Sequence, residues 1–108
     1  MSELEVGNVV LVHCRDPKEK FWGLLHRLDG VGVVLRGLDL GAVEDWFRQE
    51  AGGRERLLTP STFFLPLHRV LRIDLDEAVG LVPALAERYR NTCGGDVRKA
   101  LALDGAQQ

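Results

Sequence analysis

The sequence predicts a mainly β protein, a small and strongly bent five-stranded antiparallel barrel followed by C-terminal helices. Three observations predict it. Phe21 to Leu40 reads as two strands folded back on each other around Asp29-Gly30. Short apolar runs separated by turn residues recur at 8–14, 21–29, 31–39, 62–67 and 69–75. After Asp76 the apolar period changes from two residues to the spacing of a helix.

Taken in order, Gly7-Asn8 punctuates the start and Val9 to Cys14 is a strand apolar on both faces, so both faces expect cover. Asp16 to Lys20 is a charged connection in which Pro17 fixes φ at the second position of a turn. Trp22, Leu24, His26 and Leu28 then share one face, with Phe21, Gly23, Leu25, Arg27 and Asp29 on the other. Gly23 is an unusual choice within a strand and marks a bend or a close backbone approach. Asp29-Gly30 makes the turn, Asp by bonding its own backbone and Gly by accepting positive φ. Val31 to Leu35 is rich in β-branched residues, which suit a pleated, packed surface.

Residues 42–62 read as an insertion. Val43, Trp46 and Phe47 fall on one face of a short helix through Glu44 to Glu50, and Ala51 to Arg56 forms a polar tip. Trp46 and Phe47 either roof the barrel or meet a partner. Phe63 to Leu67 resumes an extended run, where Pro66 demands an edge, bulge or bend. Beyond Val70, alternation places Leu71, Ile73 and Leu75 on a buried face and Arg72, Asp74 and Asp76 on a wet one. Residues 77–103 form a helical extension. Val82, Leu85, Ala86 and Tyr89 define an amphipathic helix with Pro83 in its first turn, and Cys93-Gly94-Gly95 stops it. Asp96 caps a second helix, Val97 to Leu103, beyond which the chain frays.

Length and composition fit one domain, residues 1–108, able to bury its own core. A net charge of -2 supplies no global basic field, so any nucleic-acid contact must be local. Arg outnumbers Lys, and Arg is the better bidentate partner. Cys14 and Cys93 lack any CxxC spacing, which fits a reducing, cytoplasmic setting better than a disulfide framework. The acidic N-terminus has no leader-like apolar stretch, and no run is long enough to span a membrane.

The spacing Phe21-x-Gly23-x-Leu25-x-x-x-Asp29, followed by an apolar strand ending in Val34-Leu35, resembles the first signature of the Sm-like (LSm/Hfq-like) family of small barrels. Phe64-Leu65-Pro66-Leu67-His68-Arg69-Val70-Leu71-Arg72-Ile73 is similar to its second signature, and together the two cover about residues 8–75. The resemblance implies an SH3-like/Sm-like barrel whose copies form a ring by pairing the fourth strand of one subunit with the fifth of the next. Gly30-Val31-Gly32 and Pro66-Leu67 stand where the family's RNA-contacting amide and Arg-Gly pair are expected.

Three groups of residues are candidates for function. Phe63, Phe64, Leu65, Leu67, Val70 and Leu71 make an apolar margin that a second copy would seal, giving a homo-oligomer. Arg54, Arg56, His68 and Arg69 form a local basic stretch able to touch the phosphates of single-stranded RNA, with Arg88, Arg90, Arg98 and Lys99 as a second patch. Trp46 and Phe47 are candidates for a protein partner. In the competing reading, a monomeric SH3-like interaction module, they line a peptide groove with Trp22.

Enzymatic and cofactor chemistry find no pattern to rest on. His13, His26, His68 and Cys14 lack metal-ligand spacing, and the adjacent His13 and Cys14 point to opposite strand faces. Ser61 and His68 have no orienting acid, and the glycines at 30, 32 and 37 precede no helix that could offer its N-terminus to a phosphate. Asp74, Asp76 and Glu77 are read as a solvated acidic face that discourages edge pairing.

Overall fold

The computed structural model describes residues 4–53 and 57–106, with side chains described to Ala102. Five antiparallel strands form one sheet: β1 (Val9–Cys14), β2 (Glu19–Leu28), β3 (Gly32–Asp39), β4 (Ser61–Pro66) and β5 (Val70–Leu75). Three helices accompany them: α1 (Val43–Gly52), α2 (Leu85–Cys93) and α3 (Val97–Ala106). The strand order is β4-β3-β2-β1-β5, so the two strands latest in the chain lie at opposite margins. No ladder joins β4 to β5, and the sheet is not closed by hydrogen bonds.

Both faces of the sheet are apolar because each covers a different core. On one face Val10, Val12, Cys14, Leu25, Val33, Leu35 and Leu65 are buried together, with Phe21, Phe63, Val70, Ile73 and Leu75 packed around them. On the other, Val9, Trp22, Leu24 and Leu38 meet Val43, Trp46 and Phe47 of α1, Tyr89 of α2 and Val97 and Leu101 of α3. Trp46 stacks on Tyr89 at 5.5 Å between centroids, and Phe47 sets its edge to both Trp22 and Tyr89. Burying each such side chain stabilises by about 1.5–3 kcal/mol, so the helices are part of the fold's energetics. Arg36 is also buried there, its Nε donating to the Leu101 carbonyl of α3 at 3.0 Å while one terminal nitrogen finds no acceptor.

Gly23 and Gly37 are cross-strand partners in β2 and β3, and here two backbones come unusually close. A Cβ on Gly23 would stand 2.4 Å from the Arg36 carbonyl oxygen, and one on Gly37 would stand 2.0 Å from that of Trp22. This is the close approach expected of Gly23. The turn after β2 differs from expectation: Gly30 does not adopt positive φ. Asp29 closes it, its Oδ1 accepting from the Val31 and Gly32 amides at 2.9 and 3.2 Å and its own amide donating to the Gly32 carbonyl at 3.1 Å.

Two bulges break the strict alternation. Register in β2 jumps between Leu25 and Arg27, which leaves His26 as the extra residue and ends the common face assigned to Trp22, Leu24, His26 and Leu28. In β5, Cys14 pairs with Val70 and His13 with Arg72, so Leu71 is extra. Leu71 is therefore 59% exposed and does not share the buried face of Ile73 and Leu75.

The extension also differs in detail. Val79 and Val82 exchange backbone hydrogen bonds across Gly80-Leu81, so α2 begins only at Leu85 and Pro83 precedes it. Gly94 ends α2 in the left-handed conformation at φ 82°, as a helix-stopping glycine should. Asp96 Oδ1 accepts from the Arg98 amide, and α3 runs on to Ala106, past the expected end at Leu103.

Candidate functional site

The two sheet margins are formed by β4 and β5. β4 pairs only with β3 and β5 only with β1, which leaves one side of each strand without a partner strand among the described residues. A three-residue 3-10 turn, Leu67–Arg69, joins them, and Pro66 is tolerated because it closes β4 on an edge. The Leu67 amide donates to the Val31 carbonyl at 2.9 Å and fixes this corner to the start of β3.

The six margin residues divide by pleat. Leu65 is buried, and Phe63 turns inward against Phe21 at 5.1 Å, with Val70 beside the same core. Phe64, Leu67 and Leu71 face solvent at 44%, 41% and 59% exposure. Inward residues hold the strands in place, and outward ones supply apolar area next to unpaired backbone. Such margins are templates for strand addition.

The basic candidates are distributed differently. Arg54 and Arg56 lie outside the described residues. Arg69 donates from Nε to the Arg15 carbonyl and from a terminal nitrogen to the Pro17 carbonyl and Glu19 Oε1, at 3.0, 2.8 and 2.7 Å. Its guanidinium thus ties the β1–β2 connection to the β4–β5 corner. His68 is exposed beside it, its carbonyl accepting from Arg15 Nε. Of the second patch, Arg88 pairs with Glu44 of α1, whereas Arg90 and Arg98 both line a cleft at the α2–α3 end of the molecule.

Trp46 and Phe47 roof the sheet. Their side chains are 0% and 2% exposed, and Trp22 is 0% exposed, so these three rings cannot line a peptide groove. The partner-facing reading of Trp46 and Phe47 is corrected by the fact that α2 covers them. Helical spacing identifies the face of a short helix but not whether a later helix closes over it.

The acidic run is structural as well. Asp76 accepts from the Leu85 and Ala86 amides, both at 2.8 Å, and from Trp22 Nε1 at 3.3 Å. It thereby caps α2 from nine residues upstream. Asp74 binds Arg72 through Oδ1 and His13 through Oδ2 at 2.9 Å, and the Arg72 hydrogen bond, followed by that of His13, holds its carboxyl below the usual range. These residues form no bare acid–base pair. No group of three or more His, Cys, Asp or Glu among the described residues is placed to hold a metal ion. Burial pushes the thiols of Cys14 and Cys93 up, away from nucleophilic character.

No helix among the described residues is long and apolar enough to cross a membrane. Comparison of the chain with family models, with curated proteins and with solved structures finds no match.

Proposed function

We propose that this chain is a non-catalytic assembly module, an Sm-like barrel whose copies join through the bare margins of β4 and β5 and offer the assembled surface to RNA or a protein partner. The observation that carries the reading is the strand order β4-β3-β2-β1-β5, with both end strands lacking a partner on their outer sides among the described residues and tied by one short turn. The Gly23–Gly37 approach and the two bulges support a tightly bent sheet, since bulges and glycines are the devices that curve one. Outward Phe64 and Leu71 support assembly, because aromatic and aliphatic groups beside an open edge give strand pairing a hydrophobic contribution. A head-to-tail β4-to-β5 contact is heterologous and closes into a ring when its rotation permits.

Phe64→Asp and Leu71→Asp test the reading, since neither side chain belongs to a core. Each variant should keep its circular dichroism spectrum and lower the solution mass at micromolar protein. An unchanged mass in both would overturn assembly through these margins. Mobility of short single-stranded RNA across a salt series then separates the partners. A shift that weakens as salt rises identifies phosphate contacts, and no shift at low salt leaves a protein partner.

A further inference from the structure

Beyond β5 the chain turns back on itself at Gly80-Leu81. The Val79 amide donates to the Val82 carbonyl at 2.9 Å, the Val82 amide donates to the Val79 carbonyl at 3.0 Å, and Gly80 takes the left-handed conformation at φ 59°. Asp76 closes the base of this loop by holding the Leu85 and Ala86 amides. The hairpin is therefore built in place, yet its side chains stand largely in water: Val79, Leu81 and Val82 are 70%, 102% and 68% exposed. From Ala78 to Leu85 no residue carries a charge. A recess of about 430 Å³ adjoins the hairpin, with Val79 in its wall and Leu4, Leu11, Ile73 and Leu75 supplying the rest of its apolar lining. Of its charged residues, Arg72 and Asp74 neutralise each other through hydrogen bonds at 3.1 and 2.9 Å, which leaves Glu77.

We propose that this hairpin docks a second copy of the chain, the tip of each copy filling the recess of the other about a two-fold axis. A protrusion beside a recess of matching chemistry is self-complementary, which is what an isologous contact requires. Area favours a second copy over a one-sided partner. A Val or Leu side chain carries on the order of 100 Å² of apolar surface, so one seated tip buries about 600 Å² counting both walls. That falls short of the roughly 1,000 Å² of a specific interface, whereas a two-fold makes the contact twice and reaches about 1,200 Å². The pinned loop helps by lowering the ordering cost of docking. Leu11 belongs to both the recess and the helix-covered core, so the contact lies over a sheet face, is separate from strand pairing at the margins and does not rest on it.

Sedimentation equilibrium of the full chain carrying Phe64→Asp tests it, because that change disables the β4 margin and leaves the hairpin alone; Leu71→Asp serves in its place if Phe64→Asp does not fold. A reversible equilibrium between 12.0 kDa and twice that mass is expected. Adding Leu81→Asp, at a side chain fully exposed in its own fold, should weaken the dimer about a hundredfold, since a two-fold brings the change in twice. Concentration-dependent amide shifts of the ¹⁵N-labelled Phe64→Asp chain should collect at residues 79–82, Leu4 and Leu11. Failure of the margin reading is distinguishable: the parent mass would then ignore Phe64→Asp, and Leu81→Asp alone would still lower it. A lone 12.0 kDa species in the Phe64→Asp background, a dimer indifferent to Leu81→Asp, or shifts confined to other residues would overturn the proposal.

Discussion

At the scale of single residues, carboxylates do more for this fold than their run in the sequence implies. Asp76 satisfies two helix-start amides and an indole at once, so Asp76→Ala should cost about 2–3 kcal/mol, read as a lower urea midpoint with unchanged slope. Asp74 acts through pH. Its pKa is depressed by Arg72 first and His13 next, so its contribution is fully present above the unfolded carboxylate value of about 3.9 and is lost as pH falls through the lower folded value. Urea midpoints measured from pH 6 down to pH 2 should therefore fall less steeply in Asp74→Asn than in the parent below about pH 4. Equal slopes would remove Asp74 from the acid response. Arg36 is the opposite case, a buried cation with one orphaned donor and no carboxylate, and Arg36→Met should change stability by no more than about 1 kcal/mol.

Among the elements, β2 and β3 show what the sequence discloses and what it withholds. The five strands were legible because apolar runs are bounded by turn residues, and Gly23 was legible because a strand interior gains nothing from glycine unless something else needs the space. Gly37, its partner, gave the same signal less clearly beside Arg36 and Leu38. Either Gly23→Ala or Gly37→Ala should destabilise by about 2 kcal/mol or more, since the added Cβ meets backbone rather than a flexible side-chain end. Thermal unfolding checks this, and an unchanged midpoint would show that the strands can separate there at no cost. The bulges at His26 and Leu71 were not legible, because counting by twos cannot detect an inserted residue that shows only in pairing. The distant cap of α2 escaped for a similar reason: an N-cap is sought next to its helix, and Asp76 reaches it across a loop.

For the molecule as a whole, the sheet is an organiser with a core on each face and a margin at each side. Trp46, Phe47 and Tyr89 close the helix-covered face so fully that the aromatic residues most inviting as a binding surface have no surface left. Outward apolar exposure lies elsewhere, more fully at Val79, Leu81 and Val82 before α2 than at Phe64, Leu67 and Leu71 around the β4–β5 corner. Their placement could be read only in part from the chain: the apolar run was plain, but the division into inward Phe63 and Leu65 and outward Phe64 needed the register of β4 on β3. The proposed assembly rests on these margins, and an unpaired strand edge is a backbone property that side-chain motifs do not encode.

Sedimentation equilibrium of the unmodified chain at micromolar concentration tests assembly most directly. Pairing of β4 with the β5 of another copy predicts one discrete species whose mass is two or more whole multiples of 12.0 kDa. A single species at 12.0 kDa across the concentration range would contradict it.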